Sequence, residues 1–305
     1  MITASKGLKF AFLTALISGV SIFINKFAVG SITPPLVFTA VKNSLVGILI
    51  LVLLLRSGKL KMVKDLNRKD LFKLMFIGII GGALPFYLFF TGISQIPAVN
   101  AALIHKSLVI WIAILAWPLL KEKFSKTQGI AILLVLVGNL FIGGFKGFVF
   151  SKGELFVLLA TLLWAIENII AKKTLKNVDP DILVGARMGL GSLILIGTSL
   201  LIAPESLKGI FSLNTTQYFW LGMTALTLFA YVSTWYRALS FAPAITVATV
   251  LSLSTIVTNL LTAIFITHSF NATTFVPQVL IISLGIFVYY LSSRENTKKS
   301  KVSLR

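Results

Sequence analysis

Long apolar runs, separated by short polar or proline-containing connections, dominate the chain. A helix needs about 20 mostly apolar residues to cross a bilayer, and runs of that length recur along nearly the whole sequence. They predict ten spanning helices, at residues 8–29, 35–55, 71–93, 98–119, 128–145, 154–172, 182–202, 216–239, 244–266 and 275–292. Prolines near the boundaries support these limits. The pattern therefore predicts an all-α integral membrane protein.

Composition strengthens this interpretation. Of the 305 residues, 57% are hydrophobic and only 12% are charged, whereas about a quarter of the residues in a soluble domain are charged. Cysteine is absent, so disulfides, thiol nucleophiles and thiolate metal sites are excluded. We expect no cofactor and no metal ion.

The net charge of +19 would suggest a nucleic-acid partner in a soluble protein, but in a membrane protein the position of the basic residues matters more. Twenty of the 28 Lys and Arg residues lie at the termini or in alternate connections: Lys6, Lys9, Arg56, Lys59, Lys61, Lys64, Arg68, Lys69, Lys73, Lys121, Lys123, Lys126, Lys172, Lys173, Lys176, Arg294, Lys298, Lys299, Lys301 and Arg305. The opposite connections hold only Lys146, Lys152 and Lys208. The positive-inside rule therefore places both termini in the cytoplasm.

The two halves of the chain are similar at an offset of 146 residues, which places Pro34 on Pro180 and Pro97 on Pro243. The sequence thus predicts a first five-helix repeat at 1–149 and a second at 150–305, the latter with a short basic tail. Because five is an odd number of spans, the second repeat enters the membrane from the opposite side. Inverted repeats of this kind are typical of transporters that work by alternating access.

Several short segments resemble a known family. They are Leu119-Leu120-Lys121-Glu122-Lys123-Phe124-Ser125, then Gln128-Gly129-Ile130, then Val137-Gly138. Together with the length and the repeat, they make the chain similar to the EamA-type drug/metabolite transporter superfamily. The resemblance implies export or uptake of solutes by alternating access, often of amino acids or other small metabolites. The chain departs from the family pattern at His268, which lies 146 residues after Glu122. The family's Trp-Gly pair in the first helix of each repeat is half matched, by Ser18-Gly19 in the first repeat and by Trp164-Ala165 in the second.

Ionisable residues within predicted spans cost about 2.5–3.5 kcal/mol or more and usually mark function. Lys42, His105, Lys106, Arg187 and Glu167 occupy such positions. For Lys42 and Lys106, substrate binding is favoured over structural pairing with Glu167. Arg187 could instead extend to the membrane surface, and His105 could be a simple contact between helices.

Glu167 has two interpretations with opposite consequences. As a lone carboxylate in an apolar site, it would hold and exchange a proton, and so couple transport to a proton gradient. As one member of a buried ion pair, it would stay ionised, and this interpretation is slightly favoured.

Aromatic residues on the third, sixth and eighth predicted helices border the central site in the resembled family, which makes Tyr87, Trp164, Tyr231 and Trp235 candidate substrate contacts. Each could equally face lipid or the membrane surface. Pro85 lies inside the third span and should kink it. Polar residues recur every three or four positions along the ninth helix, from Thr246 to Thr262, and are assigned to helix packing.

Other classes of protein lack their required residues. The chain has no phosphate-binding Gly-x-x-x-x-Gly-Lys-Ser/Thr loop, and its four Asp residues all fall outside the predicted spans, so neither ATP hydrolysis nor an aspartyl protease is expected. A channel is the nearest alternative class of protein.

The sequence thus predicts a non-enzymatic secondary transporter of the cytoplasmic membrane. Its predicted partners are a small anionic or zwitterionic solute and the lipid bilayer, but no nucleic acid. The alternative is a proton-coupled exporter of amphipathic compounds or amino acids that uses Glu167.

Overall fold

The computed structural model describes residues 2–28, 30–122, 125–140 and 147–302, and no strand occurs among them. The helices of the first half are α1 (Ile2–Ala28), α2 (Pro35–Arg56), α3 (Arg68–Ile77), α4 (Leu84–Ile93), α5 (Ala98–Lys106), α6 (Leu108–Leu120) and α7 (Lys126–Leu140). Those of the second half are α8 (Lys152–Thr174), α9 (Pro180–Ile202), α10 (Pro204–Lys208), α11 (Thr215–Phe241), α12 (Ala244–Leu251), α13 (Ser254–Thr262) and α14 (Ala272–Val302). The predicted all-α fold is confirmed for this part of the chain.

Among the described residues, eight helical segments are long and apolar enough to cross a membrane: Ser5–Asn25, Pro35–Arg56, Arg68–Ile93, Val99–Leu120, Lys152–Thr174, Pro180–Ile202, Ala244–Thr267 and Ala272–Leu291. The fifth predicted span corresponds to α7, but its last residues, 141–145, lie outside the described residues, as does residue 29 of the first span. The eighth corresponds to α11, which is long but does not meet the same apolarity criterion. The prediction of ten spans, rather than eight, stays a prediction.

Three of the spans are interrupted. A π-helical turn, Gly78–Ala83, separates α3 from α4 and lies directly before Pro85, where the sequence predicts a kink. Ser107 separates α5 from α6, and its N–H bonds to Ile104 O at 3.1 Å. In the ninth span, Leu253 N–H bonds in the same way to Val250 O at 3.1 Å. Because Ser107 and Leu253 are 146 residues apart, the two breaks fall at equivalent positions of the repeat.

The two halves interleave. α1 packs on α11, and the equivalent helices, α8 and α4, pack on each other. α2 packs on its own equivalent α9, and α7 on its equivalent α14. The core is therefore built from both halves, while the predicted boundary at residue 149 stays a prediction.

α9 crosses the π-helical turn at close backbone contact. A Cβ atom on Gly82 would overlap the carbonyl oxygen of Arg187 and lie only 3.0 Å from Gly191 Cα. Gly82 therefore allows the interrupted third span to lie directly against α9.

Candidate functional site

The carbonyl of Gly81 organises a buried polar cluster, which we call the Gly81 cluster and which comprises Gly81, Trp164, Glu167, Arg187 and Tyr236. Pro85 has no N–H to donate to this carbonyl, four residues earlier in the helix. Trp164 Nε1 and Arg187 Nε donate to it instead, each at 3.1 Å. The interruption of the third span thus supplies an acceptor for two side chains from other helices.

Arg187 and Glu167 meet through a tyrosine. Arg187 Nη1 donates to the hydroxyl of Tyr236 at 2.9 Å, and this hydroxyl donates to Glu167 Oε1 at 2.5 Å. Arg187 is 5% exposed, and Glu167 and Tyr236 are fully buried. Of the two interpretations of Arg187, substrate contact or extension to the membrane surface, the second does not fit this buried position.

Glu167 makes no ion pair with any described cation, and its second oxygen, Oε2, is buried without a hydrogen-bond partner. The polar contacts of Lys42 and Lys106 go to other residues. Glu167 is thus held by a neutral hydroxyl, with one oxygen free to accept a proton or a ligand donor.

Aromatic rings cover one side of the Gly81 cluster. The imidazole of His105 lies 5.1 Å from the Trp164 ring and 5.4 Å from that of Phe89, measured between centroids. Its Nδ1 atom has no hydrogen-bond partner in the described structure. His105 thus belongs to the surroundings of Trp164, although it lies next to Lys106 in sequence.

The other predicted aromatic residues have different surroundings. Trp235 Nε1 donates to Asn168 Oδ1 at 2.7 Å, and Tyr231 stacks on Trp235 with centroids 6.1 Å apart. Asn168 and Trp235 are the sequence neighbours of Glu167 and Tyr236, so this pair lies on the same two helices, α8 and α11, as part of the Gly81 cluster. Tyr87 packs against the hydrophobic core and is partly exposed.

Lys42 occupies a separate aromatic site. Its ammonium lies 4.8 Å from the Phe38 ring centroid and 4.6 Å from that of Phe90, an arrangement in which ring faces stabilise a cation. Its polar contact is with Asn25 Oδ1 at 3.4 Å. Lys42 is thus a buried cation without a described carboxylate partner.

Lys106 joins the two equivalent helix breaks. It is the last residue of α5, and its Nζ donates to Ser254 Oγ, the first residue of α13, at 2.5 Å. Both residues are buried, Lys106 at 9% exposure and Ser254 at 0%. One ammonium group therefore connects the interruption of the fourth span to that of the ninth.

A second charged group, the Lys59 network, lies where α9 begins. Lys59 Nζ bonds to Asp179 at 2.9 Å and to Asp181 at 2.6 Å, and Arg237 Nη2 bonds to Asp181 at 2.5 Å. Hydrogen bonds from Lys59 to Asp181 and Asp179 raise the pKa of Lys59 above its usual value. These bonds connect the segment after α2 to the start of α9 and the end of α11.

A cavity of about 590 Å³ opens at the Lys59 network. Its charged lining residues are Lys6, Lys9, Lys59, Asp179, Asp181 and Arg237. None of the buried ionisable residues of the spans lines it.

The family-like Glu122 has a definite structural role. Its carboxylate accepts from the backbone N–H groups of Ala244 at 3.0 Å and Ile245 at 3.3 Å. A carboxylate there satisfies free N–H groups and complements the positive end of the helix dipole. Glu122 therefore fixes the start of α12. Lys123 and Phe124 of the same motif lie outside the described residues.

The polar stripe of the ninth helix bonds to neighbouring helices. Thr255 donates to Asn139 Oδ1 at 2.6 Å, Asn259 donates to Gln278 Oε1 at 2.7 Å, and the Thr246 and Tyr289 hydroxyls are 3.2 Å apart. These contacts support the packing interpretation.

Of the predicted site residues, the structure brings together Trp164, Arg187 and Glu167 through the Gly81 carbonyl and the Tyr236 hydroxyl, with His105 beside Trp164. It places Lys42 and Lys106 in separate contacts. Sequence reasoning did not assign roles to Gly81, Asn168, Asn25 or Ser254. Pro85 was the one available signal, since it identifies Gly81 as the residue with the freed carbonyl.

Interrupted apolar helices, a repeated arrangement and buried charges are features of a multi-pass membrane protein. Residues 5–144 and 151–291 each match the EamA-like transporter family, so the chain belongs to that family. The resemblance seen in the sequence is thereby confirmed, and because this is a family of transporters, membership implies a non-enzymatic role.

Three relatives share part of the sequence. The uncharacterized transporter YyaM of Bacillus subtilis is 28% identical over 64% of this chain and 66% of its own length. Uncharacterized transporters of Methanothermobacter thermautotrophicus and Archaeoglobus fulgidus are 23% and 30% identical over 43% and 35% of this chain, and over 40% and 33% of their own lengths. The chain thus covers less than two thirds of each relative. A solved crystal structure with 16% identity superposes with a TM-score of 0.75 over 92% of this chain and 98% of the other, which shows the same fold.

Proposed function

We propose that the chain is a ten-span secondary transporter, built from inverted repeats at 1–149 and 150–305, that moves a small organic anion or zwitterion by alternating access. In this proposal it lies in the cytoplasmic membrane with both termini in the cytoplasm. The observation that carries the proposal is the contact of Lys106 with Ser254 between two equivalent helix breaks. Transporters bind substrate and coupling ions at such interrupted helices, where two repeats meet.

The chemistry at these breaks favours an anionic group. Backbone N–H groups that follow the breaks are bonded within the chain: those of Ile110 and Trp111 to Ser107 O, and those of Ile256 and Val257 to Leu253 O. The positive group that the breaks offer is therefore the buried Lys106 ammonium, whose described contact is the neutral hydroxyl of Ser254. This ammonium would stabilise a carboxylate or phosphate.

Other residues inside the protein are also proposed to contact the substrate. Lys42 and Arg187 supply two further cations against the single carboxylate of Glu167. His105, Trp164, Tyr231, Trp235 and Tyr87 would supply ring surface and hydrogen-bonding groups. This excess of cations is why we propose an anionic or zwitterionic substrate.

Replacing Lys106 by alanine should abolish the thermal stabilisation that an anionic substrate gives the wild type, and reduce its flux about tenfold or more, because one charge-assisted contact contributes about 1.5–3 kcal/mol. Purified wild type and variant are compared by thermal unfolding with amino acids, organic acids, phosphorylated sugars and organic cations. Ligands that stabilise the wild type are then tested for flux in proteoliposomes.

Lys208→Ala is the matched control, because Lys208 is exposed and pairs with Glu205 away from the helix breaks. Unchanged binding and transport of every anionic ligand in Lys106→Ala would contradict the proposed site. Stabilisation of the wild type by cations or neutral amphiphiles alone would contradict the proposed substrate class.

A proton-coupled exporter of amphipathic compounds or amino acids is the second candidate. It is favoured by one observation, namely that Glu167 is buried and its Oε2 atom has no partner. Protonation there would remove a buried negative charge and weaken the attraction of Glu167 for Arg187. The conformational change that moves the substrate would then depend on whether Glu167 carries a proton.

For that candidate, Glu167→Gln should eliminate uphill transport driven by a pH gradient while exchange of substrate across the membrane continues. Glutamine keeps the size and one acceptor oxygen of the side chain but cannot lose a proton. Transport into proteoliposomes is measured with and without a pH gradient, and the exposed Glu205→Gln variant serves as the control. Uphill transport by Glu167→Gln on a pH gradient would eliminate Glu167 as the coupling residue.

A further inference from the structure

The aspartates in the cavity beside the Lys59 network are already neutralised. Asp179 bonds to Lys59, and Asp181 bonds to both Lys59 and Arg237. Two cations therefore balance two carboxylates within this network. Any further positive charge in the cavity has no counter-charge there.

Lys6 and Lys9 supply such further charge. Both line the cavity and are exposed, and neither forms an ion pair within the described part of the chain. Because they are three residues apart on α1, they project from the same face of the helix. The cavity thus has two adjacent ammonium groups and a positive potential that attracts anions.

The adjoining wall of the cavity is apolar. Phe10 stacks on Phe241 with ring centroids 6.2 Å apart, while Leu13 remains 45% exposed and Phe241 40% exposed. A free phosphate would contact only the ammonium groups. A phosphate attached to a hydrocarbon chain would cover both parts of the lining.

We propose that this cavity binds the phosphate of an anionic phospholipid, with Lys6 and Lys9 contacting the headgroup and Phe10, Leu13 and Phe241 contacting the start of an acyl chain. Basic pockets between membrane helices are suited to such headgroups. The volume of about 590 Å³ also lies within the usual range for small-molecule sites. Lipid binding here does not depend on which solute the protein transports.

The test uses the full-length protein in detergent and three probes: dioleoyl-phosphatidylglycerol, dioleoyl-phosphatidylcholine and glycerol 3-phosphate. Binding is measured by native mass spectrometry and by the shift of the thermal unfolding midpoint. The variants are the K6Q/K9Q double substitution and, as the matched control, K61Q/K64Q. Lys61 and Lys64 are exposed, lie in the segment that follows α2 and do not line the cavity.

We expect the wild type and K61Q/K64Q to bind phosphatidylglycerol about tenfold more tightly than phosphatidylcholine, and K6Q/K9Q to lose this preference. An unchanged preference in K6Q/K9Q, or an equal loss in K61Q/K64Q, overturns the proposal. A shift by glycerol 3-phosphate as large as that by phosphatidylglycerol identifies a soluble phosphate ester and overturns the lipid assignment. If K6Q/K9Q does not fold, the single K9Q variant decides: a weakened preference supports the site, and an unchanged one overturns it.

Discussion

Replacement of Arg187 by methionine is expected to lower the free energy of unfolding by about 3 kcal/mol, because breaking a buried polar or charged contact leaves its partners uncompensated. Methionine retains part of the apolar stem but cannot donate to Gly81 O or to Tyr236. The nearby Glu167 would also lose its closest opposing charge in the Gly81 cluster. Unfolding of the purified protein in detergent, followed by circular dichroism, measures the effect.

Two further variants make this prediction specific. Arg237→Met removes an arginine from the partly exposed Lys59 network and should cost no more than about 1 kcal/mol. The double variant Arg187→Met/Glu167→Gln should be more stable than Arg187→Met alone, since it removes the carboxylate that the single change leaves unopposed. Equal losses for Arg187→Met and Arg237→Met would contradict the energetic role of the Gly81 cluster.

Gly82→Ala should lower the free energy of unfolding by about 1–3 kcal/mol or more, or leave no folded protein. The added Cβ would overlap the Arg187 carbonyl oxygen, and this backbone atom cannot move without displacing α9. The separation of α9 from the third span would also disturb the donors to Gly81. Thermal unfolding and the yield of monodisperse protein are the measurements.

Gly222→Ala is the control for helix propensity. Gly222 lies on α11, where an added Cβ would meet no atom within 4 Å, so alanine should leave stability unchanged or raise it by up to about 1 kcal/mol. If Gly82→Ala and Gly222→Ala behave alike, the close approach of α9 to the third span is not a determinant of stability.

Much of the fold can be predicted from the sequence. The positions of the helices followed from apolar run length, and the offset of 146 residues anticipated the equivalence of Ser107 and Leu253, although not the breaks themselves. Pro85 located the interruption of the third span, because a missing N–H is a property of the residue itself. α11, predicted as the eighth span, mixes apolar residues with many polar ones and is not among the eight segments apolar enough to cross a membrane.

The residues of the candidate site can be predicted only in part from the sequence. The free-energy cost of placing an ionisable group within the membrane marks Glu167, Arg187 and Lys106 as unusual. It does not identify the residues that they contact. Pairing of Lys42 or Lys106 with Glu167, the alternative to substrate binding, does not occur among the described contacts, because aromatic rings and a hydroxyl group surround these lysines instead. Charge type alone does not reveal which helices face each other.

The amino-acid sequence alone predicts an all-helical membrane chain, because apolar run length and backbone hydrogen-bond satisfaction in lipid are local properties of a segment. The repeat and the family follow from comparing segments of sequence, which also requires no tertiary contact. The tertiary structure alone decided that Trp164 and Arg187 share the Gly81 carbonyl, that Tyr236 joins Arg187 to Glu167, and that Lys106 reaches Ser254. The residues in these contacts are 49 to 148 positions apart. Such contacts depend on how whole helices pack, which no local pattern of residues encodes.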